Sequence, residues 1–85
     1  MPVANTSLVE RIARTLAGRA VSINAEGSDA SAGARVDAIW PDYRDDALAI
    51  LHTLREPDAA MAAAGDADIW EEMVTTALRA EETAT

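Results

Sequence analysis

Eighty-five residues, fifteen acids against seven bases, and neither Cys nor Phe set firm limits on this chain. The length suits one domain and leaves no room for a deep cleft between two. A net charge of −8 repels free nucleic acid and anionic membranes and attracts a basic partner, and zero Cys excludes disulfides and thiolate metal sites.

The apolar share is 49%, and much of it is Ala. Ala is the best helix former and a poor strand former, so an all-α fold is expected. The first helix starts at Ser7, with Ser7 at the N-cap and Glu10 at N3 as a capping box. Leu8, Val9, Ile12, Ala13 and Leu16 follow on one face. Arg11 and Arg14 fall opposite, and Glu10 and Arg14 form an i,i+4 pair in the favourable order. Continuing the helix would carry Arg19 onto the apolar face, so Gly18 is the expected stop. Val21 and Ile23 are expected to tuck under the helices. Residues 24–34 are small and polar, with Gly27 and Gly33, and read as a loop.

Val36, Ile39 and Trp40 are spaced for one helical turn. Pro41 then sits where a helix can begin, at N1. Tyr43, Ala47, Ile50, Leu51 and Leu54 give the strongest periodic signal in the chain, and Pro57 ends it. Pro57 can also open a short Ala-rich helix with Glu56 near its cap, closed by Gly65. Asp66 or Asp68 caps the last helix, whose stripe is Ile69, Trp70, Met73, Val74, Ala77 and Leu78. Residues 81–85 have nothing to bury and should fray. The expectation is one domain over residues 1–85, a small irregular bundle of four to five short helices.

No catalytic constellation is visible. His52, the only His, lies opposite the apolar face of its helix and should meet solvent. Asp66-x-Asp68 with Glu71 and Glu72 lacks the Gly and the twelve-residue frame of a calcium loop, and capping accounts for both Asp residues. No enzyme activity, metal or cofactor is therefore expected. Trp40, Tyr43 and Trp70 are expected as the largest fillers of a core without Phe.

The acids carry the main functional expectation. Residues 1–24 have three bases against one acid, and residues 57–85 have seven acids against one base. Acids in first helical turns oppose the macrodipole, which explains their positions. It does not explain a chain with no Lys. If the start of the Pro41 helix lay near the start of the last helix, Asp42, Asp45, Asp46, Asp68, Glu71 and Glu72 would merge into one face. Such a face could imitate a line of phosphates and compete for a basic surface. Arg44, Leu48 and Arg55 form a second candidate interface, two guanidinium groups around an apolar residue.

The segments VERIAR (Val9–Arg14), W-x-x-Y-x-x-x-A-x-x-x-L-x-x-L-R-E-P (Trp40–Pro57) and AM…AG…IW…M…AL (Ala60–Leu78) resemble a set of small proteins from alphaproteobacterial phages and prophages. The likeness covers most of the chain apart from residues 19–35. That family has no assigned activity, so no residue role carries over. The resemblance implies an accessory protein of a mobile element, acting in the cytoplasm of a bacterial host. By analogy between classes, it points to an inhibitor of anti-CRISPR type whose acidic face occludes the nucleic-acid-binding surface of a CRISPR effector complex. The alternative is an accessory or assembly module that binds a protein partner through an apolar helix face. Neither reading involves direct contact with nucleic acid or membrane, and the oligomeric state stays open.

Overall fold

A computed structural model describes residues 3–25 and 32–83. Its elements in chain order are α1 (Leu8–Ala25), α2 (Ala32–Ile39), a 3-10 turn (Trp40–Tyr43), α3 (Arg44–Leu54), α4 (Ala59–Ala64) and α5 (Ala67–Thr83). The fold is all-α, as expected.

α1 begins as the sequence suggests. The Ser7 hydroxyl accepts from the Glu10 amide at 3.1 Å. The Glu10 carboxylate turns outward and takes the Arg14 guanidinium at 2.8 Å, so only half of the capping box forms. The helix does not stop at Gly18; it runs to Ala25. Its buried line is Val9, Ala13, Ala17 and Val21, four residues apart each time. Each such step rotates about 40° around the axis, so the buried line drifts away from Arg19, which stays exposed. Burying Ala17 and Val21 on either side of Gly18 offsets the cost of about 1 kcal/mol that Gly carries in a helix. Of the expected loop over residues 24–34, residues 24 and 25 belong to α1 and residues 32–34 to α2. Residues 26–31 and the side chain of Ile23 lie outside the described residues.

Pro41 is not the N1 residue of a continuous helix. It is the second residue of the 3-10 turn, and its carbonyl accepts from the Arg44 amide. Pro disfavours α geometry in the residue before it, so α2 cannot pass straight into α3. α3 then buries Ala47 and Leu51 and ends at Leu54, three residues before Pro57. α4 is capped by Asp58 rather than Glu56: the Asp58 carboxylate accepts from the Met61 amide at 2.9 Å. Asp66 caps α5, accepting from the Asp68 and Ile69 amides at 3.0 and 3.2 Å. α5 continues to Thr83, into the stretch expected to fray; Ala84 and Thr85 lie outside the described residues.

The core is small. Val9, Ala13, Ala47, Leu51, Val74 and Leu78 are its buried members, and Leu8, Ile12, Trp40, Tyr43, Leu48, Trp70 and Ala77 pack around them. The three aromatics are half-buried, at the margin of the core rather than in its centre. Ala17 and Val21 are also buried, on the same line of α1. α4 buries nothing. The chain exposes 6210 Å², against about 4,900 Å² for a typical folded monomer of 9.0 kDa.

Two contacts fix how α3 and α5 lie. At one end, Arg44 Nε meets Glu81 Oε1 at 2.7 Å. At the other, Trp70 Nε1 donates to the Leu54 carbonyl at 2.6 Å. The first residue of α3 thus meets the last turns of α5, and the last residue of α3 meets its first turn. The pair is antiparallel.

Candidate functional site: an apolar groove beside divided carboxylates

The antiparallel pairing decides the fate of the expected acidic face. Asp42, Asp45 and Asp46 are exposed at the Arg44–Glu81 end. Asp68, Glu71 and Glu72 are exposed at the Leu54–Trp70 end. Along α5 the thirteen residues from Asp68 to Glu81 span about 20 Å. The six carboxylates form two groups at opposite ends, and the merged face does not assemble. Asp68, Glu71 and Glu72 share a shallow depression with Thr75, Thr76 and Arg79. No group of three His, Asp or Glu among the described residues could hold a metal ion.

The second candidate interface also comes apart. Arg44 is committed to Glu81, whose side chain is only 13% exposed. Leu48 packs against the core. Arg55 alone is exposed, at the C-cap of α3. His52 faces solvent, where the helical wheel places it.

A different polar cluster lies near the Arg44–Glu81 end, where Glu10 and Trp40 share a depression with Arg44 and Glu81. Arg14 bonds Glu10 on its own helix and Asp37 on α2, the latter at 2.6 Å. Its guanidinium lies 5.2 Å from the centroid of the Trp40 ring. Hydrogen bonds to Asp37 and then to Glu10 raise its pKa, so it is held charged. One side chain of α1 thereby holds α2 and the 3-10 turn. Two carboxylates share one guanidinium here, so the cluster keeps one net negative charge while its single cation is bonded on both sides within the chain.

What the structure leaves open is apolar. Between α4 and the start of α5 lies an open groove of about 200 Å³, lined by Pro57, Met61, Ala67, Ile69, Trp70 and Met73. Met61 is 41% exposed, Ile69 55% and Met73 65%. The Trp70 indole is fixed by its bond to the Leu54 carbonyl. Asp66 lines the groove as well, its carboxylate accepting from the Ile69 amide, and the Asp58 carboxylate accepts from the amide of Met61, another lining residue. An apolar cavity of roughly 150 Å³ accommodates benzene, so this groove takes one bulky side chain.

Ile69 and Met73 belong to the apolar stripe expected on the last helix, yet both side chains stay exposed. The sign of this in the sequence was the width of the stripe. From Ile69 to Leu78 it spans about 180° of the helical wheel, wider than the stripe of about 100° that a surface helix usually buries. α3 covers the Val74–Leu78 side, and six-residue α4 is too short to cover the rest.

Comparison of the chain with family models, with curated proteins and with solved structures finds no match. The site therefore rests on its own geometry. No helix among the described residues is long and apolar enough to cross a membrane.

Proposed function

We propose that this protein is a non-enzymatic interaction module. Its α4–α5 groove receives an apolar anchor from a protein partner whose flanking residues are basic. The observation that carries the reading is the exposure of Ile69 and Met73 around a groove that Asp66 lines, with Asp58 capping the amide of Met61. Exposed apolar side chains around a concave centre, ringed by polar groups, are how binding hot spots are built. The charge supports the same partner: residues 57–85 hold seven acids and one base, which favours encounter with a basic surface.

An inhibitor of anti-CRISPR type, acting on a bacterial defence complex in the host cytoplasm, is the second reading. Its support is the exposure of Asp42, Asp45 and Asp46 together with the absence of Lys. The separation of the two acidic groups weighs against it, because a phosphate-like line needs them adjacent. A phage accessory module is compatible with the first reading and rests on the resemblance alone.

One experiment separates the two. Tagged wild type, Met73→Glu, and the double variant Asp45→Lys with Asp46→Lys are used to capture proteins from bacterial lysate at low and high salt. A partner lost with Met73→Glu but kept by the double variant supports the groove. A nucleic-acid-binding partner with the opposite pattern supports the inhibitor and sinks the groove.

A further inference from the structure

The molecule has a second uncovered apolar face, and its charge is opposite to that of the groove. On α1, Leu8, Ile12 and Leu16 are half-buried, and exposed Ile50 of α3 lies beside them. Arg11 lines this face. Arg19 is exposed and shares its line, because it follows Leu8 by eleven residues, or about three turns. Glu10, the only acid of α1 among residues 8–22, points away toward Arg14. Asp46, one turn before Ile50, is the one acid near this face on α3. The face is thus apolar with Arg11 and Arg19 set against one acid, Asp46, while the groove is apolar with Asp66 in its lining and Asp58 at the amide of Met61. Guanidinium groups suit carboxylates in particular, since they can bond both oxygens at once.

We propose that a second copy of this chain occupies the α4–α5 groove, inserting the α1–α3 face so that Arg11 and Arg19 of one copy approach Asp58 and Asp66 of the other. This rests on the groove being a docking site, as proposed above. The contact joins two different surfaces, so it is head-to-tail and can propagate beyond a dimer. It involves one anchor side chain and a small area, which places it among weak, transient contacts. A tighter partner would displace the second copy, so self-association would hold the groove covered until that partner arrives.

The test is sedimentation equilibrium of the full chain from about 10 µM to about 1 mM, a range that spans weak association. The expected result is a mass that rises with concentration above the 9.0 kDa of the monomer and falls back toward it at high salt. Met73→Glu breaks the groove, and Arg11→Glu with Arg19→Glu breaks the face. All three positions are exposed, and circular dichroism checks that each variant stays helical. Arg11→Gln with Arg19→Gln is the milder substitute should the reversal unfold. Each variant alone should stay monomeric, and an equimolar mixture of the two should associate again, because each supplies the surface the other lacks. A wild type that is monomeric throughout overturns the proposal. So does a face variant that associates like the wild type, which would mean groove against groove. The lysate experiment reads independently: a partner captured through Met73 by a strictly monomeric wild type leaves the groove reading intact while this inference fails.

Discussion

The two ends of the α3–α5 pair are built on different principles. At the Arg44 end, charges meet charges: Arg44 holds Glu81, and nearby Arg14 holds Glu10 and Asp37 beneath the Trp40 ring. At the Leu54 end a single indole hydrogen bond closes the contact, and Met61, Ile69 and Met73 are left in water. At the first end both guanidinium groups are bonded within the chain, and what stays exposed is hydrated carboxylate, Asp42, Asp45 and Asp46. At the second what stays exposed is apolar, and an apolar surface that a small chain does not cover is where a partner gains most by binding. Net charge alone pointed to the carboxylates, whereas the geometry moves attention to the groove between them.

The sharpest test of this contrast sets the core against the groove. Leu51 is fully buried between the two ends. Leu51→Ala should destabilise the protein by about 3 kcal/mol, from lost transfer energy plus the cavity left behind. Met73→Ala removes a side chain of similar size at a position 65% exposed, and should change stability by less than about 0.5 kcal/mol. Urea unfolding of both variants checks this. A large loss for Met73→Ala would mean that the groove is part of the core.

The next effect belongs to the closed end. Arg44→Met keeps the aliphatic stem but leaves the Glu81 carboxylate, 13% exposed, without its charged partner. The expected cost is about 1–2 kcal/mol, the scale of a hydrogen bond to a charged group. It should be accompanied by faster amide exchange in the last turns of α5. An unchanged α5 terminus would mean that this end is held by packing and not by charge.

Gly18→Ala has a smaller effect of the opposite sign. A Cβ at Gly18 meets nothing within 4 Å, and the residue lies inside a continuous helix. The substitution should stabilise the protein by about 0.5–1 kcal/mol, read as a higher urea midpoint. Loss of stability would mean that α1 ends near Gly18 after all.

Much of this fold was legible from the chain. Ser7 and Asp66 are capping residues with a local mechanism, so the starts of α1 and α5 can be placed closely, and Pro57 marks the end of α3 to within three residues; the cap of α4 is Asp58 and not the expected Glu56. Gly18 misled because the cost of a glycine in a helix is local while its compensation, the burial of Ala17 and Val21, is tertiary. The candidate site failed for a related reason. Whether Asp45 neighbours Asp68 depends on the relative direction of two helices, and no residue type or spacing within either helix encodes that. The exposed side chains of Ile69 and Met73 were visible only as surplus width in a stripe. They became a groove because α4 is too short to cover them.

The smallest expected effect tests whether the Arg14 cluster is glue or scaffold. Asp37 is 68% exposed on its side chain, so its pair with Arg14 is a surface ion pair, and such pairs are typically worth well under 1 kcal/mol. Asp37→Asn should lower global stability by no more than about 0.5 kcal/mol. Its consequence should instead be local. α2 has eight residues, too few to be stable as an isolated helix. It depends on half-buried Val36 and Ile39 and on Arg14. Loss of one anchor should therefore raise amide exchange in α2 while α3 and α5 stay protected. High salt should produce the same local loosening in the wild type by screening the pair. If Asp37→Asn instead lowers protection in α3 and α5 together with α2, the closed end is one cooperative unit with the core, and the contrast between the two ends is one of surface chemistry alone.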